Sequence, residues 1–306
     1  MSLAQVAAAA RSSAALPLTL AVAAIDVDPG AGEPGESVGV HDTVVLPVAS
    51  ASKLLLLAEV ARRLDGGALA AAAPDGGTPA AGALVAGALA ADRPVEILAE
   101  DVTGGTGLLG RLGRPGWTVE DLAWLTAAVS DNTATNALLR LVGLPATARL
   151  ARDLGLERLT LHDRVRDERG PGVPPVFATG TARDLARLVA LAARGTMASP
   201  AASARLLGWM RANTDHGLVP ALIDHDPYAP GFPEPLPGRL LVASKTGTDT
   251  GVRADAGLLV GARRVAYAVV AHWDTALGPS TERAAVHAIR DVGRALAAWA
   301  QRPAGA

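Results

Sequence analysis

The chain has 306 residues, half of them apolar and 19% charged, with a formal net charge of −2, which suits a globular enzyme able to bury a sizeable core. It has no basic run to recommend nucleic acid as a partner, and no apolar stretch reaches the roughly 18 residues of a membrane span without a Gly, Pro or charge. Cysteine is absent, so disulfides, thiol catalysis and thiolate zinc sites are excluded.

Taken in order, Leu16 to Ile25 is an apolar run following Arg11 and imitates the core of a signal peptide. It reads better as a buried strand, because Leu18–Ile25 ends at Asp26 and a Pro29-Gly30 turn. No signal peptide is read in this sequence, which leaves the cytoplasm or a mature secreted form. A second strand segment is expected at about 37–48, and a long Ala/Leu-rich helical stretch follows. Two helix starts stand out there. Thr118 with Asp121 precedes Leu122, Leu125 and Val129, and Thr181 with Asp184 precedes Leu185, Leu188 and Val189. Both follow the capping-box pattern with Asp in place of Glu. Gly and Pro clusters at 74–82, 103–116, 170–175 and 227–238 predict loops. From about 239 onward, 240–243, 257–260 and 265–270 read as short buried strands. Thr281 to Gln301, with Val286, Ile289, Val292 and Leu296, reads as a closing amphipathic helix. Strands at both ends with helices between predict an α/β (α+β) chain. One lobe comes from 1–48 and 178–306, and a helical lobe from 49–177 is inserted, with the site between them. Trp117, Trp124, Trp209, Trp273 and Trp299 are expected in the core.

The most informative count is that of lysine. Of 28 basic residues, 26 are arginine and only Lys53 and Lys245 are lysine. A solvated surface accepts either residue, so a lysine surviving such a bias points to a place where arginine cannot serve. An ammonium in a desolvated site can lose its proton and act as a base; a guanidinium cannot. Lys53 closes Ser50-Ala51-Ser52-Lys53, just before Leu54-Leu55-Leu56-Leu57. If a helix begins there, positions 50 and 53 share a face. The amine can then reach the Ser50 hydroxyl, and the helix N-terminus favours negative charge developing on it. Ser130-Asp131-Asn132 follows the helix that Thr118 begins. Lys245-Thr246-Gly247 sits at the end of an expected strand. Alone, each triplet is as readily a helix cap or an ordinary turn. Together they occur in order, on the element types they need, and they hold both lysines of the chain.

This pattern resembles the class A β-lactamases and the penicillin-binding proteins. Ala127-Ala128-Val129-Ser130-Asp131-Asn132-Thr133-Ala134-Thr135-Asn136 is similar to that family's segment around its second motif, and Thr179 to Leu185 resembles the start of the helix after its omega loop. The resemblance spans about 18–300. It implies a β-lactamase/transpeptidase-like fold, an antiparallel sheet flanked by helices. It also implies roles: Ser50 as nucleophile, Lys53 as its base, Ser130 as proton relay and Asn132 as a ligand for the substrate amide. Lys245, Thr246 and Thr248 would hold a substrate carboxylate beside Gly247, and the N–H groups of Ser50 and Thr248 would form an oxyanion hole. The expected partner is a small β-lactam, amide or ester. Neither a cofactor nor a metal is expected, and the protein is read as a monomer.

One element departs from the family. Class A enzymes release the acyl group with a glutamate in an E-x-x-x-N loop, a pattern this chain lacks. Anchoring on Asp163-Arg164 puts Arg166 at the glutamate and Gly170 at the asparagine. Glu168 or Asp167 is left as the nearest substitute. Three readings therefore compete: a β-lactamase-type serine hydrolase, a D-alanyl-D-alanine peptidase or transpeptidase, and a binding protein that traps β-lactams without turnover. The six histidines are scattered and form no metal-ligand pattern. His216 reads as a structural residue near the cleft. Gly104-Gly105-Thr106-Gly107 lacks the lysine of a phosphate loop and reads as a cleft-edge turn.

Overall fold

A computed structural model describes residues 2–12, 15–28, 35–66, 88–113, 116–226 and 237–303. The Pro29-Gly30 turn, the loop expected at 74–82 and most of the one at 227–238 lie outside the described residues, as do Arg114 and Pro115 of the cluster at 103–116.

Ten strands are described: β1 (Thr19–Asp26), β2 (Ser37–Val40), β3 (Leu46–Pro47), β4 (Pro94–Val95), β5 (Trp117–Thr118), β6 (Thr160–Leu161), β7 (Ala178–Gly180), β8 (Leu241–Asp249), β9 (Val252–Val260) and β10 (Arg264–His272). The principal sheet runs β2-β1-β10-β9-β8, with every neighbouring pair antiparallel. It thus joins the two ends of the chain and leaves β8 at an edge. The segment expected as one strand at 37–48 is two. His41 turns with φ 48°, β2 stays in the main sheet, and β3 pairs instead with β7.

Strand β1 is an unbroken apolar run because both its faces are covered. Leu20, Val22 and Ala24 join one core, and Ala21 and Ala23 the other. The first core is closed by helices α1 (Ala4–Ser12) and α8 (Pro279–Ala300); α1 was not foreseen in the sequence. The second core packs against α2 (Lys53–Leu64), α3 (Val119–Ala128), α4 (Asn132–Val142), α5 (Leu144–Asp153), α6 (Ala182–Ala193) and α7 (Pro200–Arg211). Helix α2 is its axis. Leu54 to Leu57 are four successive residues without solvent exposure, as in a helix surrounded on all sides. Its buried Glu59 is neutralised by Arg62 and Arg63, at 2.6 and 2.8 Å.

The helix starts read from the sequence differ in one detail. At α3 the capping box is complete: Thr118 Oγ1 accepts from Asp121 N, and Asp121 Oδ2 accepts from Thr118 N. At α6 only half is made. Thr181 Oγ1 accepts from Asp184 N, while Asp184 Oδ2 takes the N–H of Arg158 and ties in the preceding loop. Four of the tryptophans are buried, but Trp124 is 40% exposed, a correction to its expected place in the core. It stands on the outer face of α3, whose inner face carries Leu122 and Ala123. Among the described residues no helix is long and apolar enough to cross a membrane.

Candidate active site

Three elements converge on one cleft of about 330 Å³, lined by Ser50, Ser130, Asn132, Thr246 and Thr248. Ser50 sits on a 3₁₀ turn (Ala49–Ser52) that runs directly into α2. The turn is tied by Ala51 N donating to Val48 O and Ser52 Oγ donating to Ala49 O. Ala49, immediately before the serine, has φ 45°, and Ser130 has φ 55°. Left-handed backbone at a non-glycine residue typically costs about 1–3 kcal/mol, so strain is stored immediately before Ser50 and at Ser130 itself.

Strand β8 passes across the front of this turn. Its approach explains the glycine of Lys245-Thr246-Gly247. A Cβ on Gly247 would stand 2.5 Å from Val48 O, 2.7 Å from Ala51 N and 3.1 Å from Ser50 N. Only a residue without a side chain lets the edge strand lie against the serine's own backbone.

Asp131 builds the middle motif rather than entering the cleft. Its Oδ1 caps α4 by accepting from Ala134 N, and its Oδ2 accepts from Leu108 N and Leu109 N at 2.7 Å each. Buried and bonded to three amides, it fixes the 104–109 turn to the start of α4. Gly107, with φ +129°, approaches so closely that a Cβ there would meet the Asp131 carboxylate at 2.4 Å. The Gly104-Gly105-Thr106-Gly107 segment is indeed at the cleft edge, where Gly105 and Thr106 join the lining.

Lys53 has no solvent exposure. Its Nζ donates to Ser130 O at 2.7 Å and to Asn132 Oδ1 at 2.7 Å, with Ser130 Oγ at 3.2 Å. Two of these partners can only accept, and they match the two N–H bonds of a neutral amine. The third is a hydroxyl able to donate to the remaining lone pair. Burial pulls the Lys53 ammonium well below its ordinary range, and nearby Lys245 pushes the same way against the pull of Asp131. The lysine therefore reaches the second motif, whereas the sequence pattern emphasised its reach to Ser50. Thr106, which the sequence reading did not single out as a site residue, donates from Oγ1 to Ser130 O at 2.8 Å. Asn132 Nδ2 donates to Gly104 O at 2.8 Å.

Lys245 is also fully buried, and its Nζ donates to Thr246 O at 2.9 Å. Burial lowers it to about 8, opposed by the negative charges of Asp215 and Asp255. Asp255 had no advance notice in the sequence beyond being a lone acid within an apolar strand. It pairs with Thr246 in the β8–β9 ladder and accepts from Val219 N at 3.0 Å and Tyr267 Oη at 3.1 Å. Burial pushes its carboxyl up to about 7.

The loop of 163–170 forms another wall. Asn136 anchors it, with Nδ2 donating to Val165 O at 3.0 Å and Oδ1 accepting from Val165 N at 2.8 Å. Arg166 and Arg169 line the cleft, and both pair with Asp163. Burial raises the Asp163 carboxyl, but hydrogen bonds from the Arg166 side chain and Arg164 N outweigh it and hold the group below the usual carboxylate range. Asp167 turns away to accept from Thr103 Oγ1 and Gly104 N at 2.8 and 2.6 Å. Glu168 is exposed and stands outside the cleft lining. His216 is also outside the lining; its Nδ1 lies 3.0 Å from His225 Nε2.

A family model described as the beta-lactamase enzyme family matches residues 80–300. A beta-lactamase of Streptomyces albus G is 32% identical over 144 residues, a match covering 46% of this chain and 42% of that relative's length. Among solved structures, a beta-lactamase from Sphaerobacter thermophilus DSM 20745 superposes with a TM-score of 0.76 at 25% identity, covering 97% of this chain and 96% of its own. An ancestral (GNCA) class A beta-lactamase gives 0.71 at 25% identity, covering 97% and 98%. PBP-A gives 0.75 at 22% identity, covering 98% and 97%, a likeness of fold. The architecture is the beta-lactamase/transpeptidase-like fold, with its antiparallel sheet, flanking helices and inserted helical part.

Proposed function

Because this chain belongs to the beta-lactamase enzyme family, we propose that it is a serine hydrolase forming an acyl-enzyme through Ser50 on β-lactams or related amides and esters. Ser50 Oγ attacks the carbonyl carbon while its proton passes to neutral Lys53 Nζ. The N–H groups of Ser50 and Thr248 receive the oxyanion, each such donor typically lowering the barrier by about 3 kcal/mol. The C–N bond then breaks. Ser130 gives its hydroxyl proton to the leaving nitrogen and is reprotonated from Lys53. Asn132 holds the acyl-side amide, and Lys245, Thr246 and Thr248 hold the carboxylate beyond the leaving nitrogen. The cleft is proposed to lie between the lobe of 1–48 with 178–306 and the helical lobe of 49–177. The carrying observation is the buried Lys53 Nζ, bonded to Ser130 and Asn132 on the wall facing the Ser50 turn.

One feature favours slow release of the acyl group. Class A deacylation needs a carboxylate to activate water, and here two arginines occupy that wall while Glu168 lies outside it. A guanidinium cannot serve as a base. A peptidase-like or β-lactam-trapping activity is thus the second reading; a variant of the similarly folded PBP-A has been solved as an acyl-enzyme complex with penicillin G. Intact-mass analysis after incubation with benzylpenicillin and a chromogenic cephalosporin tests the proposal. An adduct on the wild type that is missing from Ser50→Ala is expected. Absence of any adduct from β-lactams and activated esters alike would sink the mechanism.

A further inference from the structure

We propose that Arg166 makes this cleft selective for acyl donors carrying an anionic group, such as a carboxylate, on the acyl side of the bond to be broken. The inference rests on the acyl-enzyme reading, which sets Asn132 on the acyl side and Thr246 with Thr248 on the leaving-group side; the wall of Val165, Arg166 and Arg169 is tied to Asn132's own helix through Asn136.

The charge on that wall is not balanced. Arg166 gives Nε and Nη2 to Asp163 at 2.5 and 3.1 Å. Arg169 gives Nη1 to the same carboxylate at 3.2 Å and to Pro174 O at 2.9 Å, and Nη2 to Arg164 O at 3.2 Å. Two cations therefore share one anion, leaving a net positive charge facing the cleft. The other acids of the loop do not cancel it. Asp167 is turned to the Thr103 hydroxyl and the Gly104 N–H, and Glu168 is exposed outside the lining. The acids that do line the cleft are Asp215 and Asp249, and Asp249 adjoins Thr248 on the opposite wall. Among the described residues the Nη1 of Arg166 has no partner; the side chain is 30% exposed, and Arg166 is one of the residues lining the cleft. A planar guanidinium with a free edge suits a carboxylate oxygen, and its charge persists at every accessible pH. A bound acyl group would exclude water around it and strengthen the pairing over that of an open surface.

Three penicillins that differ only in one substituent of the acyl side chain test this. Carbenicillin, benzylpenicillin and ampicillin carry a carboxylate, a hydrogen and an ammonium at the same α-carbon of one phenylacetyl side chain. Acylation rate constants are read from intact-mass time courses at low salt. The expected order is carbenicillin, benzylpenicillin, ampicillin, with roughly fivefold between neighbours, the upper end for one exposed charge pair. The spread narrows as salt is raised. Arg166→Gln brings the three rates within about twofold of one another, while Arg166→Lys, which keeps the charge, preserves the order; thermal melting checks that both variants are folded. Equal rates in the wild type, or an unchanged order in a folded Arg166→Gln protein, would overturn the charge selectivity and leave the acyl-enzyme reading intact. No adduct with any of the three would overturn the charge selectivity, and none with activated esters as well would overturn the acyl-enzyme reading.

Discussion

Lys53 and Lys245 are equally buried, but the proposed mechanism asks opposite things of them. Lys53 must be neutral to accept a proton, and its surroundings favour that form. Lys53→Arg keeps a cation that cannot give up its proton, so acylation should slow by about 10²–10⁴, the usual worth of a positioned base; a single-turnover mass assay within tenfold of wild type would remove Lys53 from that role. Lys245 must be charged to hold a carboxylate. A base is cationic below its pKa and neutral above it, so with Lys245 at about 8 the concentration of a carboxylate-bearing substrate that half-saturates the acylation rate should rise as pH passes 8. Asp255→Asn removes a negative neighbour that favours the ammonium, and the rise should begin at lower pH. Superimposable half-saturation profiles for the two proteins would show that Asp255 does not tune the site. At this scale the lysines were legible because a bias toward arginine isolates them. Asp255 and Thr106 were not, since their importance comes from strand register and from a turn closing onto Ser130.

At the scale of elements, the meeting of β8 with the Ser50 turn is the contact that assembles the cleft. Gly247→Ala sets a methyl group against the backbone at Val48 and Ala51, not against a side chain that could move. Overpacking of this kind costs typically about 1–3 kcal/mol, and here the displaced backbone includes the Ser50 amide. A lower melting temperature together with slowed acylation is expected, and a melting temperature equal to wild type would mean that the strand shifts freely. Thr118→Ala is the contrasting case. It removes one side of a complete capping box, costing about 1 kcal/mol of stability, and acylation by the folded protein should not change. The cap was legible because its signal is local. The split of 37–48 was not, because β3 is set by its distant partner β7. Trp124 was misplaced because composition gives no helical phase.

For the molecule as a whole, alternating texture along the chain announced a sheet made from both ends with helices between, and the sheet order β2-β1-β10-β9-β8 is that arrangement. Helix α1 was missed because an alanine-rich stretch carries little periodic contrast; it becomes readable only when Leu3, Val6, Ala7 and Ala10 are seen packed into the α8 core. The arginine-bearing wall was foreseen as a departure at position 166, but its placement beside the serine needed the anchoring of Val165 by Asn136. On the proposed mechanism, these features equip the chain to form an ester at Ser50 and leave the arginine-bearing cleft wall without a carboxylate to hydrolyse it. The most direct test is the mass of the protein followed in time after brief exposure to benzylpenicillin and removal of the excess. A stoichiometric adduct on Ser50 that decays far more slowly than it formed is the predicted result; no adduct, or one that survives in Ser50→Ala, would contradict the account.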